Sequence, residues 1–160
     1  VGDYVVYRKE VCKVAEIKEK YMKDIDYYRL VPLSDESLHL DIPVINSKNY
    51  LRDLITKEEV EKLIEKIPLI DVIQSEEKTL ENEYKGLINS ASLENYIKII
   101  KTTYLRNKER IENKKKISDK DNHYFNLAEK YLYNEFSVVL NKTYDETKEY
   151  VFEKVSELEN

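Results

Sequence analysis

"LHLDIPVINSKNYLRDLITKEEVEKLIEKIP", residues 38–68, changes its hydrophobic period partway through. Leu38, Leu40 and Ile42 alternate with His39 and Asp41, a period of two that predicts a strand with one apolar face. From Thr56 onward the period is helical, with Val60, Leu63, Ile64 and Ile67 forming a stripe. Thr56 followed three residues later by Glu59 predicts a capping box, and Pro68 stops the helix. The chain therefore divides between residues 50 and 56, strands before and helices after, with no Gly/Pro hinge at the boundary.

Upstream, Tyr4-Val5-Val6-Tyr7 reads as a first strand, with Gly2 at its start, where freedom from Cβ sterics is useful. Val11, Val14 and Ile17 change phase along the next stretch, which predicts a bend or bulge. "DYYRLVPL" (26–33) is a third strand and "SDES" (34–37) a turn. Four or five short strands in about fifty residues predict a small Tudor- or SH3-like barrel over residues 1–52. Downstream, Ser92, Ser118 with Asp121, and Thr143 with Glu146 mark further helix starts. "TLENEYKGLI" (79–88) is a weaker helix, and "NKERIENKKK" (107–116) a polar extension or loop. The expectation is a compact all-α unit over residues 53–160, each helix burying its stripe on the others.

Composition narrows the chemistry. The 160 residues are 41% hydrophobic and 37% charged, and no apolar run reaches the ~20 residues of a membrane span. A lone Cys12 excludes an internal disulfide and fits a reducing, cytoplasmic setting; in an apolar strand it reads as a small buried hydrophobe. His39 and His123 read as surface side chains, and two histidines with one cysteine are poor material for a metal site. No phosphate-binding glycine loop or nucleophile motif is present. The expectation is a non-enzyme without cofactor or metal.

The net charge of −5 hides an uneven distribution. Residues 98–120 hold nine cations against three carboxylates, while the flanking segments are acidic. Lys98, Lys101, Arg106, Lys108, Arg110, Lys114, Lys115 and Lys116 make this island. It reads equally well as a solvated helix end or as a salt-dependent, sequence-nonspecific phosphate contact. The strand "LHLDIPV" offers another contact surface, since Pro43 suits a sheet edge that a partner strand could join or that Pro merely protects.

Taken in order, "VGDYVVY", "KVAEI", "YYRL", "LHLDIPV" and "LRDLITKEEVEKLI", then "SASLENYIKIIKTTYLRNKER" and "ISDKDNHYFNLAEKYLYNEFSVVL", resemble the CarD/CdnL family of bacterial transcription regulators. The resemblance implies a Tudor-like module that docks on the β-subunit lobe of RNA polymerase by adding to its sheet. It implies a helical domain that touches promoter DNA at the upstream edge of the melted bubble, so that the open complex is stabilised without turnover. Carried over by position, the polymerase-facing residues are Lys20 and the segment Leu38, His39, Leu40 and Asp41; some members place Arg at Asp41. The family's minor-groove Trp is missing, since the chain has no Trp and Glu77 stands near that place. A cationic run after the serine cap is reduced to Lys120-Asp121-Asn122-His123, and a later Lys is replaced by Leu127. Any DNA contact is then expected to fall on the island from Lys98 to Lys116. The expected protein is a monomer, with a strand-swapped dimer as the variant, associated with the nucleoid through polymerase. The alternative is a polymerase- or protein-binding adaptor that does not touch DNA.

Overall fold

The computed structural model describes residues 1–159. Five strands come first: β1 (Tyr4–Tyr7), β2 (Glu10–Met22), β3 (Ile25–Pro32), β4 (Leu40–Pro43) and β5 (Leu51–Arg52). Five α-helices follow: α1 (Lys57–Lys66), α2 (Glu77–Asn89), α3 (Leu93–Glu112), α4 (Asp119–Leu140) and α5 (Tyr144–Glu159). The strands form one antiparallel sheet in the order β4-β3-β2-β1-β5.

The sheet is open, which corrects the expectation of a barrel. β4 and β5 are its two outer strands and do not pair with each other. The chain between them spends Ser47–Asn49 on a 3-10 turn and leaves β5 only two residues, too few to bridge back to β4. The expected phase change in β2 is present as a register shift between Val14 and Glu16, so Val14 and Ile17 both face the partner strand's apolar side. Gly2 has φ 85°, and its N–H reaches the Val14 carbonyl at 2.7 Å; the left-handed backbone there is what glycine supplies.

Two apolar clusters result. Cys12, Val14, Leu30 and Ile42 pack on one face of the sheet. The larger cluster is helical, with Val60, Ile64, Leu80, Tyr84, Tyr96, Ile99, Leu132 and Phe136 at its centre. On the opposite face of the sheet Val6 and Val11 pair and are buried, and β2 packs on α4 at this end. Lys130 on α4 bonds Glu10 on β2 at 3.1 Å.

The local helix signals act as their chemistry requires. Thr56 Oγ1 accepts from the Glu59 N–H and Glu59 Oε1 accepts from the Thr56 N–H, both at 3.1 Å. Thr143 and Glu146 repeat the exchange at α5. Such caps contribute about 1 kcal/mol each. α3 runs on through Asn107–Glu112, so the polar extension begins as helix and becomes loop only at Asn113.

At α4 the local reading differs from the fold. Asp121 N–H does bond Ser118 Oγ at 3.2 Å, but the Asp121 side chain turns inward. Aspartate is one methylene shorter than the glutamate of a capping box, and cations stand on its inner side.

Candidate functional site

Two places carry more than packing: the β4 edge and a charged junction of α2, α3 and α4. At the first, Val44 N–H bonds the Asp26 carbonyl at 2.9 Å. By antiparallel alternation the inward-bonded pairs are then Tyr28–Ile42 and Leu30–Leu40. Asp41 and Pro43 turn their backbone outward, so the proline's missing N–H leaves no gap in the ladder. β4 begins at Leu40, so Leu38 and His39 precede the strand. Leu38 is 55% exposed and Leu40 38% exposed, although both lie on the predicted apolar face. An open depression of about 360 Å³ beside β4 is lined by Tyr7, Ile25, Ile42, Pro43, Ile45, Asn46 and Tyr50.

Asp41 is not a free charge. Arg29 on β3 donates from Nε at 2.9 Å and Nη2 at 3.0 Å to its two carboxylate oxygens. That hydrogen bonding holds the Asp41 carboxyl below the usual carboxylate range. Lys20 is exposed at the second register shift of β2, with φ 48°, and its N–H bonds Asp26 Oδ1 at 3.0 Å. Asp26 lies past the Pro43 end of β4, so Lys20 stands off one end of that strand and Leu38 off the other.

The basic island is divided by the fold. Lys101 Nζ donates to the carbonyls of Ile67 and Ile70 at 2.6 and 2.7 Å, capping the 3-10 turn that follows α1. Arg106 and Arg110 sit four residues apart on α3 and converge on Asp121, whose side chain is 0% exposed. Arg106 Nε donates at 2.9 Å, Arg110 Nη1 at 2.5 Å and Tyr84 Oη at 2.9 Å. Burial works to raise the Asp121 carboxyl, but the donors Arg110, Arg106 and Tyr84 outweigh it and hold the group below its ordinary value. Burial, then the bond to Asp121, pushes the Tyr84 phenol upward.

Glu77, the first residue of α2, covers the outer side of this cluster. Arg106 Nη2 and Lys120 Nζ donate to it, and Arg110 Nη2 stands 3.9 Å away. Lys108, Lys114, Lys115 and Lys116 are exposed, and Lys98 is half-buried. None of these five forms an ion pair within 4.0 Å among the described residues. The island is thus three structural cations and a set of surface lysines.

Glu77, Tyr84, Lys120 and Asp121 were not assigned this role by sequence reasoning. The available signal was the i, i+4 spacing of Arg106 and Arg110, which places two guanidiniums on one helical face in need of a counter-charge. Elsewhere, Cys12 is fully buried and burial pushes its thiol up to about 11, which disfavours the reactive thiolate. His39 and His123 are exposed. Among the described residues no group of three or more His, Cys, Asp and Glu is placed to hold a metal ion. Among the described residues no helix is long and apolar enough to cross a membrane. No protein-family model matches the chain, and no curated protein matches it.

Proposed function

We propose that this chain is a transcription regulator that docks on the β-subunit lobe of bacterial RNA polymerase through its sheet and stabilises the open promoter complex through cations of its helical unit. The observation that carries the reading is the position of β4. The segment expected to meet polymerase lies at the outer edge of the sheet, with the Asp41 and Pro43 backbone turned outward. An extended partner strand adds to such an edge through main-chain bonds, and exposed Leu38 and Leu40 supply apolar contact beside it. The resemblance to the CarD/CdnL family names the partner, and this protein would act in the cytoplasm wherever polymerase is. Once docked, the local DNA concentration is high, so a few exposed lysines suffice for a weak backbone contact.

A second reading, an adaptor with no DNA contact, is favoured by one specific observation. Lys101, Arg106 and Arg110 are engaged within the protein. Immobilised β lobe tests the first step: the chain is expected to be retained, and Leu40→Asp to reduce retention at least tenfold. Lifetime of a polymerase–promoter complex at two salt concentrations separates the readings. A longer lifetime with a steep salt slope, lost when Lys114, Lys115 and Lys116 are neutralised together, supports the regulator. Retention on the lobe with unchanged lifetime supports an adaptor that binds polymerase, and no retention removes the regulator and leaves only an adaptor for another protein.

A further inference from the structure

The charged junction holds more cation than it needs. Arg106, Arg110 and Lys120 meet only two carboxylates, Asp121 and Glu77. The two carboxylates are unlike each other. Asp121 is sealed inside and satisfied by three donors. Glu77 is 62% exposed and sits on the outer nitrogens of the same cations. Two guanidinium forks and an ammonium, held in place from behind by a buried aspartate, are the donor set that binds a tetrahedral oxyanion. Asp121 holds Arg106 Nε and Arg110 Nη1 from behind, which leaves the Nη2 atom of each arginine on the Glu77 side.

Glu77 is also the member of the cluster best able to leave. It is the first residue of α2, and the preceding Glu76 makes no side-chain cap bond that would pin the helix start. The segment Asp71–Glu76 before it has no regular secondary structure but is held by Ile73 N–H on Thr102 Oγ1 and Ser75 on Glu83, so what is free to leave is the exposed Glu77 side chain. The surrounding surface favours an anion of higher charge. Lys115 N–H bonds the Arg110 carbonyl at 2.7 Å, which folds the Lys114–Lys116 loop onto the turn of α3 that carries Arg110.

We infer that Arg106, Arg110 and Lys120 form a phosphate-binding site that the chain's own Glu77 occupies, so that Glu77 is an autoinhibitory stand-in for a phosphate group. The ligand class is a phosphate oxyanion, either a phosphodiester of a nucleic-acid backbone or a free phosphate. The site belongs to the helical unit alone and does not depend on whether the sheet binds polymerase.

The test uses the full chain and three variants. Glu77→Gln keeps the shape and removes the competing charge. Glu76→Gln, one residue away, makes the same change in net charge without touching the cluster. Glu77→Gln with Lys120→Gln removes one of the exposed donors. Each is titrated with a duplex DNA fragment and, separately, with inorganic phosphate, followed by backbone amide chemical shifts at residues 77 and 120. Glu77→Gln is expected to bind at least one of these anions about tenfold more tightly than the unaltered chain at low salt, the scale of one charge-assisted hydrogen bond. For DNA its salt slope is expected to steepen by about 0.9 for each additional phosphate neutralised. Glu76→Gln stays within about twofold, and the double variant loses most of the gain. A gain for both anions identifies an oxyanion site open to either source, and a gain for duplex alone identifies a nucleic-acid site. Equal gains for Glu77→Gln and Glu76→Gln, or no gain in either, overturn the inference. Should Glu77→Gln fail to fold, Glu77→Asp keeps the first-turn charge and draws the carboxylate back by one methylene. It is expected to show a smaller gain, and no gain overturns the inference equally.

Discussion

α4 carries two buried carboxylates, Asp121 near its start and Glu135 near its end, and the protein treats them differently. Glu135 is 1% exposed and accepts from Arg52 Nη1 at 2.8 Å, Arg52 Nη2 at 2.6 Å and the Ile55 N–H at 2.9 Å. One guanidinium meets one carboxylate, and the extra donor is backbone. This cluster is neutral, and it fastens β5 of the sheet to α4 of the helical unit. The Asp121 cluster joins three helices, carries a surplus cation and reaches the surface through Glu77. The comparison separates two uses of the same buried chemistry. A closed, balanced pair fixes two elements together, while an open, unbalanced one leaves donors available to something else.

Breaking the closed cluster is expected to cost most. Glu135→Ala leaves Arg52 without its partner, orphans the Ile55 N–H and opens a cavity, for a loss of about 3 kcal/mol. Urea denaturation reads the loss, and hydrogen exchange at Arg52 and Ile55 is expected to accelerate more than exchange in α3. Asp121→Asn keeps the volume and the bond to Ser118 but removes the charge between two arginines. Those arginines are about a quarter exposed, so the expected loss is smaller, about 2 kcal/mol by the same measurement.

Acid sharpens the comparison. The Asp121 and Glu77 carboxyls are both held below their ordinary values in the fold, Asp121 against its burial by Arg110, Arg106 and Tyr84, and Glu77 by Arg106 and Lys120. Their contribution is therefore present above the unfolded values near pH 4 and is lost as pH falls through the lower folded values. Stability followed from pH 5 to pH 2 is expected to fall less steeply in Asp121→Asn than in the unaltered chain. The smallest effect belongs to Glu77→Gln, an exposed member of an ion cluster, with a loss within about 1 kcal/mol at neutral pH by urea denaturation. A loss as large as that of Asp121→Asn would make Glu77 a structural part of the cluster.

What the sequence made legible follows the range of each interaction. The switch from a period of two to a helical period, the Thr56–Glu59 and Thr143–Glu146 caps and the phase change at Val14 are local, and the fold contains each of them. The open sheet was not legible, because closure depends on how many residues β5 can spare after the Ser47–Asn49 turn. Nor were the two carboxylate clusters. Arg52 and Glu135 lie 83 residues apart, and hydrophobic periodicity is silent about where a charge finds its partner. Asp121 gave the same local signal as Glu59, a carboxylate three residues after a hydroxyl cap, yet the arginines on α3 claimed it. Likewise, counting cations over residues 98–120 could not tell Arg106 and Arg110, engaged inside, from Lys114–Lys116, which are exposed.

The fastening of Arg52 to Glu135 also has a mechanical meaning. From Glu135 back to the turn that begins α4 is about 16 residues of continuous helix, a stiff rod of roughly 24 Å at 1.5 Å per residue. One end is bolted to the sheet, and the other carries the tri-lysine loop at its tip. Whatever holds the sheet therefore aims the loop as well. A loop carried on such a rod is confined to the arc that the rod's bending allows, where one on a free tether would explore a sphere. Lengthening α4 by one turn would move the tip by about 5.4 Å and leave the sheet's grip untouched.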